Sequence, residues 1–261
     1  MWTILIYVLV IIISNIAGAI SGMGGGSIIK PLLDLLQLHS VAEISFYSSV
    51  AVLVMAFVST YRQSKSKVQI NWNLAITVAL GSIIGGTLGN ITFEALLVYF
   101  SDELMVNLVQ IIITVCVLIY SYIFSNNPKQ FNMSRNALVE LSVGFILGYL
   151  SSLLGIGGGP LNVVLISMVF SISMKDATVY SIVVILFSQS AKIISILLAG
   201  THLTYDLSIL WAIIPSAIIG GYFGSLLNSK FSEDMIIKVY QIVVITVLLI
   251  NVYNGFSIIL A

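Results

Sequence analysis

The feature that most constrains this chain is a series of eight apolar runs, each long enough to cross a bilayer: 2–21, 41–61, 72–91, 104–124, 137–154, 177–199, 207–227 and 235–253. A helix needs about 20 apolar residues to cross a hydrocarbon core roughly 30 Å thick. None of the runs alternates polar and apolar residues as the strands of an outer-membrane barrel do. In lipid every backbone N–H must find its acceptor inside its own segment, which leaves the helix. Composition removes the soluble alternative. Hydrophobic residues make up 59% of the chain and charged residues 8%, with a mean hydropathy of +1.12, whereas a soluble domain is about 25% charged. The reading is an all-α polytopic membrane protein.

Ten Lys or Arg balance ten Asp or Glu, and no basic run exists to grip nucleic-acid phosphates. The single cysteine, Cys116, sits in an apolar run, so disulfide frameworks and cysteine-rich zinc sites are excluded. His39 and His202 fall at span ends, and no acid is expected inside a helix to partner them, so no metal or cofactor is called for. The first run lacks a basic leader and a small-residue cleavage site and is expected to be retained.

The chain is duplicated. Gly22-Met23-Gly24-Gly25-Gly26-Ser27 recurs as Gly155-Ile156-Gly157-Gly158-Gly159-Pro160. In the same register Ser40, Glu43, Tyr47 and Ser48 match Ser173, Asp176, Tyr180 and Ser181. Further on, Gly85-Gly86 matches Gly220-Gly221, and Gln110 matches Gln241. The expected division is a first membrane repeat over 1–125, a cytoplasmic linker over 126–135 and a second repeat over 136–261. Each repeat holds four full spans plus one short helix after its glycines, at 28–38 and 161–172.

Orientation turns on whether those short stretches reverse the chain. If they do not, each half has four spans and the halves are parallel; Arg62, Lys65, Lys67, Lys129 and Arg135 then lie opposite Lys175, Lys230 and Lys238. If they do, each half has five elements, the halves are inverted, and all eight cations share one side. The positive-inside rule makes that side cytoplasmic, with both termini outside. The inverted arrangement is the expectation.

Three consecutive glycines are not ordinary helix content, since each costs about 1 kcal/mol relative to Ala. They read as breaks after which a helix restarts at Ser27 or at Pro160, proline suiting a first helical turn. A buried helix start beside unwound backbone presents free N–H groups and positive dipole, which suits an anion. Carriers with inverted repeats use such broken helices near the bilayer midplane. The candidate substrate-binding set is therefore Gly24, Gly25, Gly26, Ser27, Gly157, Gly158, Gly159 and Asn162. Lys192 joins it because a lysine in mid-span is costly and should face a cavity; Gln189, one turn earlier, and the duplicated Tyr47 and Tyr180 complete it. Lys192 has no duplicate, since Ser59 holds the matching place. Lys30 reads either as a second cation for the site or as a cytoplasmic boundary marker. Asn15, Ser21, Ser151 and Ser152 are further donors near the breaks. The remaining glycines at 81, 85, 86, 89, 220, 221 and 224 read as helix-packing residues. Glu43 and Asp176 read as helix-start residues that favour the dipole.

The stretches Gly18-Ala19-Ile20-Ser21-Gly22-Met23-Gly24-Gly25-Gly26 and Gly148-Tyr149-Leu150-Ser151-Ser152-Leu153-Leu154-Gly155-Ile156-Gly157-Gly158-Gly159-Pro160 resemble the repeated glycine signature of the sulfite exporter TauE/SafE family, also described as the 4-toluene sulfonate uptake permease family. The likeness covers nearly the whole chain, although the first copy is one turn shorter before its glycines. It implies a permease in the inner membrane for small sulfur-containing anions such as sulfite, sulfonates or sulfoacetate. An anion channel is the nearest rival and would want a continuous charged or carbonyl-lined pore. An intramembrane enzyme would need a nucleophile and base at span depth. No nucleotide-binding motif is present, so the driving force should be a gradient, with protons as the default coupling ion. Oligomeric state is not legible.

Overall fold

The computed structural model describes residues 2–65, 71–100, 102–126, 136–156 and 158–260. Gly157, Lys67, Lys129 and Arg135 lie outside them. The described chain forms ten α-helices: α1 Trp2–Ser21, α2 Gly26–Leu36, α3 Val41–Ser64, α4 Trp72–Phe100, α5 Glu103–Asn126, α6 Ala137–Leu153, α7 Pro160–Phe170, α8 Met174–Ala199, α9 Leu210–Lys230 and α10 Glu233–Leu260. Two short 3-10 turns, Thr201–Thr204 and Leu207–Ile209, join α8 to α9. Among the described residues, seven helices are long and apolar enough to cross a membrane. The expected span at 137–154 is a helix of 17 residues, Ala137–Leu153, which reaches about 26 Å at 1.5 Å per residue. Large apolar side chains such as Phe57, Val98, Ile123, Leu198 and Trp211 are exposed around the bundle, as a lipid-facing surface requires.

Local chemistry fixes the helix starts. Ser40 and Glu43 form a capping box at α3, and Ser173 accepts from the Asp176 amide at α8. Each satisfies amides that a helix start leaves bare. Both short helices stop at a non-glycine residue in the left-handed region, Gln37 with φ 50° and Ser171 with φ 53°. Glu103 of α5 accepts from the Val41 amide, and Glu233 of α10 accepts from the Met174 amide, both at 2.8 Å.

Helix directions follow from contacts at successive levels. On α1 and α9, Asn15 meets Gly220, Ala19 meets Gly224, and Asn228 bonds Ile20, so the two run parallel. On α3 and α9, Tyr47 bonds Asp206 and Ser59 bonds Gly221, again parallel. Helix α4 runs parallel to α8, with Ser82 on Val184 and Asn90 on Ser195, and parallel to α6, with Gly85 on Phe145 and Gly89 on Tyr149. By contrast α3 and α8 are antiparallel: Ser45 meets Lys192 while Met55 packs with Ile182 and Ile185. Helices α5 and α10 are also antiparallel, with Ser125 on Gln241 and Ile111 on Gly255.

The short helix α2 returns the chain toward the level at which α1 starts. Gly24 donates to Gly18 at one end of the pair, and His39, just past α2, packs edge-on against Tyr7 at the other. Arg62, Lys65, Lys175, Lys230 and Lys238 consequently lie at one end of the bundle, where Lys175 donates to the Phe231 carbonyl at 2.7 Å. Glycines at helical spacing let the closest helix pair, α4 and α6, approach backbone to backbone.

Candidate functional site

Both glycine clusters interrupt the helices. Helix α1 ends at Ser21 and α2 restarts at Gly26; α6 ends at Leu153 and α7 restarts at Pro160. The two breaks touch. A Cβ on Gly26 would lie 1.9 Å from the Ile156 carbonyl oxygen and 2.8 Å from Ser48 Oγ, so only glycine admits this approach. A Cβ on Gly158 would lie 2.5 Å from the Ile185 side chain and 3.0 Å from the Met23 carbonyl oxygen.

Each break opens with a left-handed glycine packed on the opposite half: Gly22 (φ 73°) on Thr178 and Gly155 (φ 66°) on Ser45. Among the described residues, no acceptor takes the amides of Gly25, Gly26 or Ser27. Ser27 does not cap the restart. Gly25 is the N-cap, and Ser27 Oγ donates back to the Gly24 carbonyl at 3.1 Å. On the second break Gly159 is the N-cap, with Pro160 in the first turn as the sequence suggested.

Donors surround this contact without acceptors of their own. Ser48 Oγ, Ser152 Oγ, Asn15 Nδ2 and Asn162 Nδ2 are buried and have no hydrogen-bond partner among the described residues. Gln189 donates to Ser151 Oγ at 3.0 Å and leaves its own Oε1 unpartnered. A buried polar group without a partner costs roughly 1–3 kcal/mol, so such a cluster asks for a ligand or water.

Lys192 is fully buried. Its Nζ donates to Ser45 Oγ at 2.8 Å and to the Ser152 carbonyl at 3.3 Å, at the C-terminal end of α6, where the dipole favours a cation. Among the described residues it forms no salt bridge. It sits with Ser45, Phe93 and Glu94 in a cavity of about 290 Å³ between the end of α4, the end of α8 and the start of α3. That cavity lies at the end of the bundle away from Lys175 and Lys230. Tyr205 at its rim has its phenol pushed above the ordinary value by burial, which keeps it a neutral donor.

Lys30 lies inside the protein, which overturns its reading as a boundary marker. Its Nζ pairs with Asp34 Oδ2 at 2.7 Å and with Asn107 Oδ1 at 3.2 Å. Its Cε lies 3.3 Å from where a Gly155 Cβ would be, on the same loop that meets Ser45. The two lysines thus flank one stretch of the second break. Asp34 also corrects the expectation that no acid lies inside: its side chain is 4% exposed within α2.

Tyr47 and Tyr180 are not brought to the breaks. Tyr47 donates to the Asp206 carbonyl, and Tyr180 accepts from the Asn71 amide, each at 2.9 Å. Each tyrosine ties its helix to the loop that leads into α9 or α4 of the opposite half. Their partner serines do reach the glycines: Ser181 donates to the Gly22 carbonyl and Ser48 lies against Gly26. Sequence reasoning missed Ser45, Asp34, Asn107 and Asn228. Ser45, Asn107 and Asn228 take partners from distant segments, which no local spacing signals, whereas Asp34 pairs with Lys30 one turn earlier on α2.

The family described as Sulfite exporter TauE/SafE matches residues 7–252. This chain belongs to that family. It is 24% identical over 271 residues to the probable membrane transporter protein YunE of Bacillus subtilis (strain 168), covering 95% of this chain and 98% of that one. It is 26% identical over 244 residues to the probable membrane transporter protein MJ0441 of Methanocaldococcus jannaschii, covering 90% and 89%. No solved structure matches. The chain is accordingly a multi-pass membrane transporter rather than an enzyme, and an inner-membrane location accords with the bacterial relative.

Proposed function

We propose that this TauE/SafE member is a secondary carrier of small sulfur-containing oxyanions, such as sulfite, sulfonates or sulfoacetate, and holds them where the two glycine breaks meet. The observation that carries the reading is the gathering about the two breaks of buried donors that lack a partner among the described residues (Ser48, Ser152, Asn15 and Asn162) and of a buried lysine that forms no salt bridge among them. A sulfur oxyanion carries several acceptor oxygens and a negative charge, and it must replace its hydration shell on entering the bilayer. Free amides at a helix restart and a buried ammonium supply that replacement. Gly24, Gly25, Gly26, Gly158 and Gly159 belong to the breaks themselves, and Gln189 reaches the end of α6 through Ser151. Ser27 stands in the first turn of α2, and Gly157 joins the candidate set on the sequence alone.

The halves, 1–125 and 136–261 with a linker at 126–135, act as inverted repeats that rock about the fixed site. Support comes from the antiparallel course of α3 against α8 and of α5 against α10. The end carrying Lys175 and Lys230 is cytoplasmic by the positive-inside rule. The cavity at Lys192 then faces outward, while Gly22, Thr178 and Asn228 close the cytoplasmic side.

Counterflow of radiolabelled sulfite in reconstituted vesicles tests the function. Saturable uptake that unlabelled anion inside the vesicle stimulates is expected. Flux without saturation or stimulation would instead mark a channel, and no flux of any sulfur oxyanion would reject the substrate class. Cysteines placed at Lys129 and Lys175 should react with an impermeant reagent from the same side; labelling from opposite sides would reject inversion.

A further inference from the structure

The buried pair formed by Lys30 and Asp34 has no counterpart in the second half, where Val163 and Ser167 occupy the matching places. It is not a closed structural ion pair. Asp34 Oδ2 is bound to Lys30, whereas Oδ1 is buried without a partner among the described residues, and Asp34 lines a cavity of about 630 Å³ at the outer end between α2, α3, α5 and α10. Asn254 lines the same cavity and also leaves its Oδ1 unpartnered. One side of Asp34 therefore borders the cavity, and on the other side stands the lysine whose chain lies against Gly155.

We propose that Asp34 is a proton-binding site that governs Lys30, an inference that rests on the anion-carrier reading above. A proton arriving through the outer cavity binds Asp34 Oδ1 and makes the carboxyl neutral. The ion pair with Lys30 is broken, and the ammonium is free to turn from Asp34 toward the second break. The pair passes from zero net charge to one positive charge, which one monovalent anion at the break neutralises. When the anion leaves, Lys30 returns to Asp34 and the proton is expelled. One proton thus travels with each monoanion, and the loaded site carries no added charge across the bilayer.

Other groups facing α2 are less suited to this task. Glu43 of α3 already accepts from the Ser40 amide and pairs with His39 at 3.6 Å, and Glu103 of α5 accepts from the Val41 amide. Tyr7 of α1 packs on His39 and Tyr47, Tyr253 of α10 lines the cavity wall, and Lys192 of α8 stands beyond Ser45. Asp34 is the carboxylate among them that combines an open oxygen with a direct bond to a lysine.

Infrared difference spectroscopy on the purified full chain during acidification reads the proton directly. The wild type should gain a carboxylic-acid band that is absent in Asp34→Asn, shifted in Asp34→Glu and unchanged in Glu103→Gln. Adding sulfite at fixed pH should raise the band, because anion and proton favour one another. In vesicles, the ratio of acid-driven accumulation to counterflow should fall at least tenfold in Asp34→Asn. No band in the wild type, a band that survives in Asp34→Asn, or one removed by Glu103→Gln overturns the proposal. A band that depends on Asp34 but ignores sulfite supports the proton site and counts against the substrate class.

Discussion

The two glycine breaks are built on one plan and finished differently. At the first, the end of α1 is tied to the opposite half by Asn228, which donates to the Ile20 carbonyl at 2.7 Å and to Thr178 Oγ1 at 3.0 Å, beside Gly22. At the second, the end of α6 is tied by Lys192, which donates to the Ser152 carbonyl and to Ser45 Oγ, beside Gly155. Thr178 and Ser45 occupy matching places. A neutral amide therefore suffices to hold a helix end against the other half, and the charge of Lys192 exceeds what that task demands. Desolvating an ammonium costs several kcal/mol. That cost buys nothing structural that an asparagine would not supply, which is why we assign the charge to the substrate.

The same contrast runs along α3 and α8. Ser59, in the place that matches Lys192, donates to the Gly221 carbonyl of α9 at 3.2 Å and to Met55 Sδ at 3.5 Å.

Breaking the plan itself should have the largest effect. Gly26→Ala forces a methyl group into the Ile156 carbonyl, and we expect a loss of roughly 3 kcal/mol in stability together with loss of transport. Thermal unfolding in detergent and vesicle uptake measure the two parts. Next comes Lys192→Ala, which should weaken sulfite affinity about 100-fold, the scale of one or two charge-assisted hydrogen bonds, as read by thermal shift against sulfite concentration. Asn228→Leu removes the neutral tie. It should cost about 2 kcal/mol in stability and change the sulfite half-saturation little, so an affinity loss equal to that of Lys192→Ala would erase the distinction between the breaks. Smallest are Ser40→Ala and Ser173→Ala, each expected to cost about 1 kcal/mol as a lost helix cap, and to the same extent, because the caps belong to the shared plan.

Much of the shared plan was legible in the sequence. Hydropathy marks the spans, glycine triplets mark the breaks, and Ser40 with Glu43 and Ser173 with Asp176 mark where helices begin. Duplication misled the reading at Tyr47 and Tyr180. Their recurrence suggested a ligand role, yet in each half the tyrosine ties its helix to a loop of the other half. The unduplicated residues carry the chemistry proposed here. Lys192 stood out because it lies in the middle of a long apolar span, whereas Asp34 did not, because an acid near the end of a short helix resembles a surface residue until α10 and α5 are seen to cover it. Ser45 and Asn228 acquire their partners from segments far away in the chain, so no local pattern announces them.

Selenite, a heavier oxyanion of similar shape to sulfite, tests the central claim most directly through anomalous diffraction from crystals of the chain grown with it. The account predicts one dominant selenium peak within hydrogen-bond reach of Lys192 or the Gly25–Ser27 amides, lost in Lys192→Ala. A peak bound elsewhere in the bundle, or one at this place that persists unchanged without Lys192, would contradict it.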